Sequence, residues 1–225
     1  YDFSTLTSGN IGGQDGWVVN NQGYYTSALA TVGTSTIGTS GDYNYGSKAL
    51  VPGSQGGAGM EMSHLSGGSF LMPLIGVGSS ITLQYDVVPN SGGSTLSLGA
   101  DLNQDGDLFD AGERGIAVTL TTGTGGESVI SLSNATGGVT SSTVTLHGPS
   151  DGHGEWVSFR LDMDAAAAGG QGNMSLWMRE NITGYGTWTA VSGLQSLNAG
   201  FNWLGTGVAN PMLWNGIDYA AANGE

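Results

Sequence analysis

Thirteen residues, Asp101-Leu102-Asn103-Gln104-Asp105-Gly106-Asp107-Leu108-Phe109-Asp110-Ala111-Gly112-Glu113, hold five carboxylates and two carboxamides. Such crowding repels itself unless a cation lies inside it. Oxygens at the first, third and fifth positions, Asp101, Asn103 and Asp105, followed by Gly106 at the sixth, form the order in which a turning chain wraps a calcium ion. Hard oxygen donors with no Cys or His among them select Ca2+ over transition metals. The expected ligands are Asp101, Asn103, Asp105, Asp107, Asp110 and Glu113. Whether Asp110 or Glu113 completes the shell stays open, because position twelve is Gly112 and the glutamate falls one residue late. The plain alternative is a solvated acidic turn.

The run resembles the first half of an EF-hand loop, yet its flanks carry the period of strands, not of amphipathic helices. Residues 94–100 and 115–120 alternate apolar and polar side chains. With those flanks, Asp-x-Asn-x-Asp-Gly-Asp-x-x-Asp-Ala-Gly-Glu resembles the calcium loop of bacterial cell-surface β-sandwich modules, including the family called GEVED. That resemblance implies an extracellular, calcium-stabilised module.

Other constellations carry less chemistry. Asp151, His153 and Glu155 alternate in a glycine-broken segment, and two carboxylates are what a glycosidase requires. The segment reads instead as a polar turn, and the Glu-x-Asp-x-x-Glu strand motif of laminarinase-like enzymes is absent. No nucleophile elbow, phosphate loop or zinc motif is present, so the chain is expected not to be an enzyme. Met60, Met62 and His64 share one face of a strand; they are a donor set for copper(I), and a sheet face of methionines with a rim histidine is the simpler reading. Asn134-Ala-Thr136 and Asn181-Ile-Thr183 fit the glycosylation sequon, a pattern common by chance in such a composition.

The elements that would hold these groups are strands. Ile81, Leu83, Tyr85 and Val87 share one face of residues 80–88, and Pro89 to Gly93 read as a turn into an antiparallel partner at 94–100. Ile116, Val118 and Leu120 follow the acidic loop. Val157, Phe159, Leu161 and Met163 face one way, as do Met174, Leu176 and Met178, with Ala165 to Gly172 as the turn between them. If those two strands pair, Trp177 and Arg179 join Trp156 and Arg160 on the opposite face. Residues 1–6 are expected to form a first strand that pairs with residues 216–220. The Tyr-Asp-Phe opening, the glycine loop landing on Trp17, and the 155–220 stretch resemble concanavalin-like (LamG-type) jelly rolls. The fold expectation is therefore all-β: a single antiparallel β-sandwich of jelly-roll type with little or no helix, spanning 1–225 as one domain.

Composition narrows the function classes. Four Lys and Arg against 18 Asp and Glu give a net charge of -14, which leaves no basic surface for nucleic acid. No run nears the roughly 20 apolar residues of a membrane span. With no cysteine, disulfides cannot staple the fold, and a metal clip is the natural substitute. A chain starting at Tyr1 is read as one whose signal peptide has been removed, which places it outside the cell or on its surface. Trp156, Trp177, Tyr185 and Trp188 are candidate contacts, either for a polysaccharide or for another subunit. The expected function is a non-catalytic structural unit of a filament, layer or matrix, self-associating through sheet edges or a terminal strand. The alternative is a lectin-like carbohydrate-binding domain.

Overall fold

The computed structural model describes residues 6–7, 9–10, 13–20, 30–34, 48–52, 60–65, 80–87, 93–99, 104, 114–122, 127–134, 136–146, 157–164, 167–180, 186–200 and 216–222. At 9–10, 19–20, 30–34, 48–52, 60–62, 65, 114, 122, 170 and 216–222 the backbone alone is described.

Strands dominate. They are β1 (Gly9–Asn10), β2 (Trp17–Asn20), β3 (Ala30–Thr34), β4 (Lys48–Pro52), β5 (Met60–Leu65), β6 (Ser80–Val87), β7 (Gly93–Gly99) and β8 (Arg114–Thr122). After them come β9 (Glu127–Ser133), β10 (Val139–Thr145), β11 (Val157–Asp164), β12 (Asn173–Glu180), β13 (Thr189–Ala190), β14 (Leu197–Asn198) and β15 (Gly216–Ala222). The one helical turn among the described residues, α1 (Ala167–Gly170), carries left-handed dihedrals at Ala168 (φ 52°) and Gly169 (φ 69°). It reverses the chain between β11 and β12, closed by Gly172 N–H donating to the Ala167 carbonyl at 3.0 Å.

Two sheets form a sandwich. The larger has the order β10-β9-β8-β7-β15-β5-β2, and the smaller β13-β12-β11-β6, with β14 also on β12; β1, β3 and β4 make a separate three-stranded sheet. Every pairing is antiparallel. The period-two alternation decides which faces meet. From the larger sheet Leu98, Ile116, Val118, Leu120, Ile130 and Leu132 point inward, and from the smaller Val87, Val157, Phe159, Leu161, Met163, Met174 and Leu176; all belong to one buried cluster. Apolar burial of this kind is the dominant favourable term in folding.

Two sequence expectations are corrected. β6 and β7 are not a hairpin: β6 pairs with β11 along its full length, while β7 lies between β8 and β15. Val87 and Gly93, which flank 88–92, therefore lie in different sheets. The C-terminal strand is not an edge either. Gly216 to Ala221 have partners on β5 and on β7, so β15 offers no free ladder to residues 1–6.

Side-chain and backbone polar groups lock one end of the sandwich. The β9–β10 turn runs Asn134 to Gly138, and the Asn134 Oδ1 accepts from Thr136 N–H (3.1 Å), Thr136 Oγ1 (3.0 Å) and Gly138 N–H (2.7 Å). The first sequon thus serves as an Asx turn. Gly200, at φ 70°, sits so close that a Cβ would lie 3.2 Å from Thr136 Cγ2. Asn198 bonds Gln171 Oε1 at 2.7 Å, and Ala199 N–H donates to Gly172 O at 3.0 Å. Asn134 Nδ2 donates to Asn198 O at 3.4 Å, which ties a turn of the larger sheet to the α1 turn of the smaller.

Candidate functional site

The acidic run lies in sequence between β7 and β8. Those strands pair antiparallel from Gly93↔Thr121 to Gly99↔Arg114, with a register shift between Ser97 and Gly99 at the loop's entry. Asp101, Asn103, Asp105, Asp107, Asp110 and Glu113 lie outside the described residues; Gln104, exposed, adopts φ 64°. Among the described residues no three His, Cys, Asp or Glu side chains cluster as a metal site.

On the outer face of the smaller sheet, pairing of β11 with β12 sets Arg160 opposite Trp177 and Ser158 opposite Arg179. The Arg160 guanidinium lies 5.0 Å from the centroid of Trp177 and 5.0 Å from that of Trp188, and Arg179 lies 4.6 Å from Trp188. Two of the chain's four cations thus share one aromatic surface. Arg160 Nη2 also meets Asp162 Oδ2 at 3.1 Å, and Asp162 Oδ1 accepts from Thr82 Oγ1 at 2.9 Å. Ser158 is fully buried on this face and donates to Asp86. Trp177 and Trp188 are half-buried. Guanidinium groups already occupy aromatic surface that a pyranoside would need. Trp156 and Tyr185 lie outside the described residues.

His64 is not at a rim. It is fully buried on β5, edge-on to Trp17 with ring centroids 4.8 Å apart, and its Nε2 is 4.0 Å from Asp15 Oδ2. The side chains of Met60 and Met62 lie outside the described residues. Residues 151–156, with the Asp151, His153 and Glu155 alternation, lie outside them as well.

The sandwich margin carries a feature that periodicity did not reveal. The rim of the smaller sheet along β12 is covered by an interrupted segment: β13, a turn, then β14. Val191 N–H donates to Leu176 O (3.0 Å) and Leu176 N–H to Leu194 O (2.9 Å), while the Gln195 amide donates to Leu176 O at 2.5 Å. This irregular cover is a device that blunts a sheet edge. On the same side, β10 ends the larger sheet. It pairs with β9 over seven unbroken positions, and among the described residues nothing pairs with its other side. Val-Thr-Ser-Ser-Thr-Val-Thr contains no charge, Pro or Gly, and Val139 is 63% exposed. A groove of about 540 Å³ runs between β10 and the β12–β13 margin, lined by residues that include Ser142, Val144, Met178, Thr189 and Val191 and the oppositely charged Arg179 and Glu180.

No protein-family pattern and no curated protein matches this chain. Among solved structures it is similar to the botulinum neurotoxin serotype G binding domain, at 14% identity and a TM-score of 0.25 over 96% of this chain and 45% of that one. A botulinum neurotoxin type G receptor binding domain matches at 13% identity and a TM-score of 0.24, over 98% of this chain and 46% of that one. The chain spans less than half the length of these structures.

Proposed function

We propose that the chain is a non-catalytic, calcium-stabilised extracellular module that works as a self-associating structural unit of a surface filament, layer or matrix. The observation that carries this reading is the unequal treatment of two neighbouring margins. The β12 rim is covered by the β13–β14 segment and the Gln195 amide, whereas β10 keeps an uncharged, unbroken ladder of hydroxyl and β-branched residues. Exposed edges of that kind are where another chain adds. The acidic run between β7 and β8, with its likeness to GEVED-type loops, supports the calcium part and the extracellular setting. The LamG-type likeness supports the same setting. The lectin-like alternative rests on Trp177 and Trp188, and the guanidinium contacts on those rings weigh against it.

Sedimentation velocity and electron microscopy with calcium, across a range of concentration, test the reading. Concentration-dependent assembly is expected; uniformly monomeric particles throughout would overturn it. Thermal unfolding tests the ion separately: free calcium at 1,000 times its dissociation constant should raise stability by about 4 kcal/mol. Asp105→Ala should erase that rise. An identical melting curve in calcium and in chelator would remove calcium from the proposal.

A further inference from the structure

We infer that two copies of the chain join edge to edge through β10, antiparallel, with the two-fold axis midway between Ser142 and Ser142 of the second copy. This rests on the self-association reading and specifies one of its contacts, since a two-fold contact by itself closes at a dimer. Charge favours β10 over the other long margin. The β9–β10 pair holds a single ionisable side chain, Glu127, whereas β6 and its neighbour β11 hold Asp86, Asp162 and Asp164 with one arginine, Arg160. Copies that each carry a net charge of -14 repel, so their contact belongs where charge is least. The groove beside β10 supplies room. An added strand would lie over it and turn alternate side chains toward Val144, Met178 and Val191.

Parity fixes the register. A two-fold axis relating antiparallel neighbours in one sheet stands perpendicular to that sheet and keeps each residue on its own face. Paired residues therefore share a face, and because side chains alternate, their numbers sum to an even value. The axis must therefore lie midway between two like residues that face each other. For Val139–Thr145 the choice that pairs all seven positions is Ser142. Ser142 then meets Ser142 of the second copy, Ser141 meets Thr143, Thr140 meets Val144 and Val139 meets Thr145. No charge faces a charge, and hydroxyls meet as Ser131 and Ser141 already do at 2.8 Å.

The absence of cysteine makes the test direct, since an engineered thiol is the sole one. In Ser142→Cys the two Cα atoms would stand about 4.5 to 5.5 Å apart, inside disulfide range. In Ser141→Cys the like residues are offset by two positions along the strand, about 8 Å apart and beyond that range. With diamide as oxidant, Ser142→Cys should give covalent dimer at least about tenfold faster than Ser141→Cys, and Ser141→Cys mixed with Thr143→Cys should crosslink in the heterologous pair. Circular dichroism checks that each variant is folded. Preferential crosslinking of Ser141→Cys would overturn the register. Assembly by sedimentation without crosslinking at either position would overturn the β10 contact and leave self-association standing. Monomers throughout would overturn both.

Discussion

The arginine and tryptophan ladder gives the sharpest test of whether the outer face of the smaller sheet is structural. In Arg160→Met an apolar stem of similar length still covers the sheet while the guanidinium is lost. Two cation–π contacts disappear, each at 5.0 Å and within the roughly 6 Å reach of the effect. At half-buried rings each is worth about 1 kcal/mol. The bridge to Asp162 adds no more than about 0.5 kcal/mol, because Asp162 is 38% exposed and Arg160 26%. Against these losses, Arg160 Nε is buried without a hydrogen-bond partner among the described residues, and its removal returns about 1 kcal/mol. The net expectation is a loss of about 1 to 2 kcal/mol, read from the urea midpoint at unchanged slope. A double-mutant cycle with Trp188→Leu isolates the contact, and the coupling should be about 1 kcal/mol. Additivity within about 0.3 kcal/mol would refute the reasoning and return the Trp188 ring to the candidate sugar contacts.

Three further outcomes are expected. Phe159→Ala, at a fully buried ring 5.4 Å from Tyr85, should lose about 3 to 5 kcal/mol in chemical denaturation. Asn134→Ala removes the acceptor for three donors of the β9–β10 turn and should lose about 1 to 2 kcal/mol, whereas Asn134→Asp, which keeps that oxygen, should lose less. Gly200→Ala places a Cβ 3.2 Å from Thr136 at φ 70°, so calorimetry should show about 1 to 2 kcal/mol of destabilisation. Because Gly200 and Asn134 press on the same turn, their double variant should depart from additivity.

Alternation made the core legible before any coordinates. The predicted inward sets on β6, β8, β11 and β12 are those that fill the sandwich, since a half-buried strand has one way to satisfy both water and core. What stayed hidden is what periodicity does not encode. Pro89 to Gly93 announces a reversal, but a reversal can close a hairpin or carry the chain across to the facing sheet, and here it does the second. The burial of His64 depends on Trp17, brought beside it by β2, and no local pattern joins residues so far apart in sequence. The partnership of Trp177 with Arg160 was readable from an assumed hairpin. That of Trp188 was not, because β13 is two residues long and has no period to read. Likewise the sequon at Asn134 looked like chance, and only the turn shows its oxygen fully used.

The position of the acidic run bears on what an ion would contribute. In an EF-hand the loop ends are set by helices; here Gly99 stands opposite Arg114, so the ladder itself brings the two residues that flank 100–113 to about 5 Å of each other. Closing a loop of that length from an open chain costs roughly 2 kcal/mol of entropy, and strand pairing meets that cost before any cation arrives. A bound ion would then act on the interior of the loop, where it relieves repulsion among the acids, and not on the gathering of its ends. The strands leaving the loop are also those that run outward through β9 to β10. Order gained between β7 and β8 is therefore order in the hydrogen-bonded series that ends at β10. This is the physical route by which calcium and self-association would be coupled in one sheet.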